Sequence, residues 1–343
     1  MTTPSLYDTT TLLQVVRLLP LFDPLLLHLF FPDIVTFDTE SIAFDKLDVD
    51  GNRKLAPFVS PLVAGQARRI NGGEVRSFKP AYVKPLTVVD VGRVLRRRPG
   101  EAFQGTMSAL ERRDDIIVEN LQMERDQCLR RFEWMGAQAL RTGKVVVSGE
   151  DYPSVEVDFK RTSTLTKTLT TTARWSQATS APLDDIVAWD AELEAPSTDI
   201  VFTPRAWKHF HKHSDVKEAL NAMMRGGQSA LEIAPGNGAL VQPLGYIGPK
   251  RAWLYTGWYL TDAGVRTPFL ADGEIILGSR EVRGVRAFGA ILDPRAGYQA
   301  VDIFPKNWIS ENPAAEFTMT QSAPLMVPCR PDASMCVLVT DEA

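Results

Sequence analysis

One stretch of this chain, residues 58–90, reads as two strands with no hydrophobic face of their own, and it constrains the fold more than any other feature. Residues 58–70 run up to Asn71-Gly72-Gly73, a turn signal that favours positive φ, and residues 74–85 run back. The implied shape is a hairpin. At roughly a dozen residues a side and about 3.3 Å each it extends on the order of 40 Å, against a radius of gyration of about 20 Å for a compact chain this long. Such an arm must project. A lone hairpin is marginal in water, and this one carries Arg68, Arg69, Asn71, Gly72, Gly73, Arg76 and Lys79 around its tip. Its order has to come from another surface, and the simplest is a second copy of the protein.

The rest of the composition is that of a globular protein: 343 residues, 44% hydrophobic and 23% charged, enough for one large core or two moderate ones. A formal net charge of −4 disfavours wrapping nucleic acid by general attraction. Cys128, Cys329 and Cys336 are odd in number and lack metal-ligand spacing, so free thiols in a reducing cytoplasm are expected. The Leu-rich segment 12–31 is broken by Arg17, Pro20, Asp23, Pro24 and His28 before any apolar run reaches the roughly 20 residues of a membrane span. It reads instead as two short amphipathic pieces, 12–19 and 25–31, packed on another surface or on the chain's own core.

Beyond the arm, Arg93 and Arg96-Arg97-Arg98 form a basic connector ending at Pro99-Gly100. Residues 108–141 then change period: Ile117, Leu121, Cys128, Phe132 and Met135 recur at three, four or seven, which predicts a long helix stopped at Thr142-Gly143. Residues 144–151 and 154–159 follow as strands. The threonine-rich stretch 161–172 is either β-prone or a loop. Further on, residues 183–193 and 204–224 read as helical, and 199–202, 253–260 and 274–277 as strands, an α+β mixture without internal repeats.

Sites for chemistry are scarce. Asp45, Asp48, Asp50 and Gly51 suggest a calcium loop, but in that register Lys46 takes the first position and Pro57 the twelfth, so a turn at Asp50-Gly51-Asn52 is expected. The stretch from Glu232 to Gly238 is similar to the first motif of S-adenosylmethionine-dependent methyltransferases. Yet Ala234 stands where its first glycine belongs, and Pro243 interrupts the following helix. His209, His211 and His213 alternate, but a helix would point them apart, and a solvated polar face is the expectation over zinc. No catalytic elbow or phosphate loop occurs, and neither enzymatic activity nor a cofactor is expected.

Several segments together resemble the phage lambda major capsid protein E family. These are Phe22-Asp-Pro-Leu-Leu-Leu-His-Leu-Phe-Phe31, Phe58-Val-Ser-Pro-Leu-Val-Ala-Gly65, Phe78-Lys-Pro-Ala-Tyr-Val-Lys-Pro85 and Val155-Glu-Val-Asp158. Ile200-Val-Phe-Thr-Pro-Arg-Ala-Trp207, Pro305-Lys-Asn-Trp308 and Glu316-Phe-Thr-Met-Thr-Gln-Ser-Ala-Pro-Leu-Met326 continue it in the same order. It departs most at residues 225–250 and at the histidines. The resemblance implies the Hong Kong 97-like phage major capsid fold: an N-terminal arm over residues 1–38, the start of a peripheral domain over 39–57, an extended E-loop over 58–90, a peripheral domain over 91–165 built on the spine helix 108–141, an axial domain over 166–305, and a C-terminal return over 306–343. It also implies self-assembly into pentamers and hexamers of an icosahedral shell enclosing double-stranded DNA, first as a procapsid that later expands, with a hinge expected at the arm's base, where Gly92 and Pro99-Gly100 permit one. Scaffolding protein, portal and a small decoration protein are the implied partners, and the virion capsid, with the host cytoplasm during assembly, the implied location. A nanocompartment shell protein related to encapsulins is the nearest alternative, and a methyltransferase a distant one.

Overall fold

The computed structural model describes residue 12 and residues 22–39, 41–46, 74–96, 108–149, 152–218, 240–312 and 314–340. Arg68, Arg69, Asn71, Gly72 and Gly73, the turn at Asp50-Gly51-Asn52 and the glycine-rich loop 231–238 lie outside them.

The long helix spans Ala109–Thr142, 34 residues or about 50 Å. Its ends are chemically marked. Ser108 accepts from the Glu111 backbone N–H while the Glu111 carboxylate accepts from the Ser108 N–H, a reciprocal cap worth about 1 kcal/mol. Gly143 closes the other end at φ 70, where a Cβ would stand 2.7 Å from the Arg161 Cβ. Ile117, Leu121, Cys128, Phe132 and Met135 are all buried, as their spacing predicts.

Two layers pack on this helix. One is the short helix Leu25–Phe30, whose Leu26, Leu27 and Phe30 are fully buried, each contributing about 2 kcal/mol. Strand Asp33–Phe37 follows, parallel to Gly284–Gly289, which pairs antiparallel with Pro324–Pro328. Within the span expected as an arm, Phe22, Leu25, Leu26, Leu27, Leu29, Phe30 and Phe31 are therefore built into the chain's own core, while strand Asp33–Phe37 is an edge strand with Ile34 and Val35 exposed. The other layer is an antiparallel sheet of Phe304–Glu311, Ala314–Gln321 and Leu86–Val89. The C-terminal residues 316–326, one continuous segment of the resemblance, divide between two sheets at Ser322-Ala323.

A second core lies under a six-stranded mixed sheet, ordered Thr166–Thr168, Ser334–Leu338, Glu274–Gly278, Asp199–Phe202, Lys250–Tyr255 and Val241–Ile247. Helices Pro182–Glu192 and Pro204–Lys212 contribute Trp189, Trp207 and Phe210 to an aromatic cluster with Trp175 and Phe202. The predicted strand 253–260 is broken. Tyr255 turns inward, and a Cβ at Gly257 would lie 2.3 Å from its ring, so the chain bends before Trp258–Leu260.

The arm differs from its expected form. Glu74–Phe78 pairs antiparallel with Ile42–Lys46, in register from Ile42 opposite Phe78 to Lys46 opposite Glu74. The described root is thus a wider hairpin than one folded between residues 58–70 and 74–85. Residues 86–89, expected inside the projection, form an edge strand of the sheet instead. Among the described residues no helix is long and apolar enough to cross a membrane.

Candidate assembly surfaces

The return leg of the arm is clamped to the body in sequence order. Tyr152, on the hairpin of Lys144–Gly149 and Tyr152–Asp158, donates its hydroxyl to the Lys79 carbonyl at 3.0 Å. Pro80 is buried, and Tyr82 donates to the Ala290 carbonyl at 2.7 Å. Val83 bridges Ser322. Of the expected arm residues, Arg76 lies in the root strand opposite Phe44, and Lys79 is exposed where the root leaves the body. Gly92 sits at the start of helix Val91–Leu95, with its N–H bound to the capping Asp90 carboxylate at 2.8 Å, and Pro99-Gly100 lies outside the described residues.

Behind these surfaces the body is cross-braced by buried charge. Glu133 is fully buried on the long helix and accepts from the backbone N–H of Leu26 and Leu27 and from the Tyr255 hydroxyl. Burial pushes its carboxyl up to about 7, against the pull of those three donors. Glu124, also fully buried, accepts from Thr318 and Thr320 at 2.8 Å each, and burial again raises its pKa. Arg113 holds Glu316 by two bonds of 2.6 and 2.7 Å, and Arg141 holds Glu274 by bonds of 2.6 and 2.8 Å. These contacts fix the helix to both sheets. Sequence reading missed the two buried acids, although Glu124 fills the gap of seven between Leu121 and Cys128 on the apolar stripe.

The outward surface is partly apolar. Leu86 and Val88 are 52% and 49% exposed on the edge strand, and the Val88 row continues through Phe317 to Trp308, whose rings stack at 5.5 Å. Cys128 and Cys336 are buried, which pushes both thiols up to about 12. No group of three metal-ligating side chains occurs among the described residues. The histidines correct one expectation. His211 stacks on Trp207 at 5.5 Å, as a helix surface allows, but His213 is buried beside Ser180 at 3.3 Å rather than solvated, because it closes the helix against the aromatic core.

The sequence profile of phage major capsid protein E matches residues 8–339. The chain belongs to that family. This capsid protein E homologue is 36% identical to the major capsid protein of Escherichia phage lambda over 341 residues, covering 97% of this chain and 99% of the relative. It is 34% identical to that of Enterobacteria phage P21 at the same coverage. Among solved structures, a prophage capsid protein from E. coli CFT073 superposes with a TM-score of 0.75 at 24% identity, covering 97% and 99% of the two chains. The fold of this capsid protein is the α+β Hong Kong 97-like one.

Proposed function

We propose that this major capsid protein of a lambda-like phage assembles as pentamers and hexamers into an icosahedral shell around double-stranded DNA, by way of a procapsid that expands. The observation that carries the reading is the family match over nearly the whole chain. Its role is assembly rather than catalysis. The long helix would be the spine of a peripheral domain, residues 166–305 most of an axial domain, and residues 1–38 and 58–90 the two segments that reach neighbouring subunits. Arg68, Arg69, Asn71, Gly72, Gly73, Arg76 and Lys79 would act between subunits, ordered on docking, so that many weak contacts sum to a stable shell. Scaffolding protein, portal and a small decoration protein are the proposed partners, with assembly in the host cytoplasm. Electron microscopy of the purified protein, alone and co-expressed with a scaffolding protein, tests this reading through the presence of closed shells.

A further inference from the structure

A groove of about 540 Å³ runs between the long helix and the hairpin of Trp258–Leu260 and Arg266–Pro268. Arg130, Arg131, Trp134, Trp258 and Tyr259 line it, with one carboxylate, Asp262. The guanidiniums lie on aromatic faces: Arg131 at 5.3 Å from the Trp134 ring centre, Arg266 at 4.4 Å from Trp258, and Arg130 at 4.3 Å from Phe22. Arg130 also donates to the Trp258 carbonyl at 3.1 Å. Among the described residues none of the three is ion-paired to a carboxylate. A guanidinium stacked on a ring keeps in-plane N–H donors for an incoming acid, so the groove suits an acidic segment with an apolar flank.

The same chain presents such a segment on its other core. Helix Pro182–Glu192 buries Ile186 and Trp189 and turns Asp184, Val187, Ala188 and Ala191 outward at helical spacing. Val187 is 69% exposed, and Asp184, in the first turn, has no cation partner among the described residues. Two small alanines allow close approach. We propose that this helix face of one copy seats in the cationic aromatic groove of a second copy, with Asp184 meeting the groove arginines and Val187 the tryptophans. The arm is the wrong occupant, since Arg68, Arg69, Arg76 and Lys79 would repel those arginines. Because the two faces differ, the contact is head-to-tail and propagates from copy to copy instead of stopping at a dimer, as the rings of the shell reading require. It rests on the shell reading above and names the surfaces through which that assembly would proceed.

The test uses full-length protein assembled into particles. In a Cys329→Ser background, Val187→Cys on the helix and Leu260→Cys at the groove, a residue that is 60% exposed, should oxidise to a ladder of covalent oligomers up to ring size. A product that stops at the dimer, or no product at all, overturns the contact. Separately, Arg131→Glu and Asp184→Arg should each lower capsomer yield about tenfold at low salt, with recovery in the double variant and unchanged circular dichroism. Wild-type yields in both single variants, or no recovery on charge swap, also overturn it. Wild-type particles without the ladder remove this contact alone, whereas wild-type protein that forms no particles removes the shell reading and the contact with it.

Discussion

Glu133, in the last third of the long helix, accepts the Tyr255 hydroxyl at 2.7 Å in the interior of the protein. The same carboxyl binds the N–H groups of Leu26 and Leu27, so a single acid ties the first helix, the long helix and the six-stranded sheet. Its folded value of about 7 stands above the 4.5 of an unperturbed glutamate, so the folded state holds the extra proton between those values. This contribution to stability is full below about 4.5, falls as pH rises to about 7, and is level above. Urea midpoints measured from pH 4.5 to 8 should show a loss on the order of 3 kcal/mol that is absent in Glu133→Gln.

The Arg113–Glu316 pair joins the start of the long helix to strand Ala314–Gln321, with both side chains about one-tenth exposed. Glu316→Ala leaves a guanidinium without its main partner and should lower stability by about 3 kcal/mol in denaturant titration. Replacing both residues with apolar ones of similar volume should recover most of that loss.

Gly284 begins the strand that receives the first helix. A Cβ there would stand 2.2 Å from the Phe30 carbonyl oxygen and 2.5 Å from the Phe31 ring. Gly284→Ala should therefore cost at least about 2 kcal/mol in thermal or urea unfolding, whereas Gly149→Ala, whose nearest neighbour is 3.8 Å away, serves as the neutral control.

Residues 66–73 can be removed from the arm without touching the Glu74–Phe78 pairing with Ile42–Lys46. The shortened subunit should keep its circular dichroism and melting temperature yet yield few shells by sedimentation. Normal shell yield would show that the arm tip has no part in assembly.

What was legible in the sequence was mostly local. The long helix announced itself through the apolar stripe and the stop at Thr142-Gly143, all within one element. The root of the arm was not legible: Asn71-Gly72-Gly73 is a strong turn signal, but nothing near it tells that Phe78 will face Ile42. Parallel pairings such as Asp33 with Val285 join residues too far apart for pattern reading. Nothing local marked Glu133, because its three donors come from elements remote in sequence. The proposed groove and its helix face were hidden for the same reason, since each needs the fold before its residues share a surface.

The central claim is that this chain closes into a shell of its own copies. Cryo-electron microscopy of particles purified after expression with a scaffolding protein tests it most directly. Hollow icosahedral particles built from pentamers and hexamers, with the long helix in each subunit, are the predicted result. A small monomer that persists at high concentration and binds S-adenosylmethionine would contradict it.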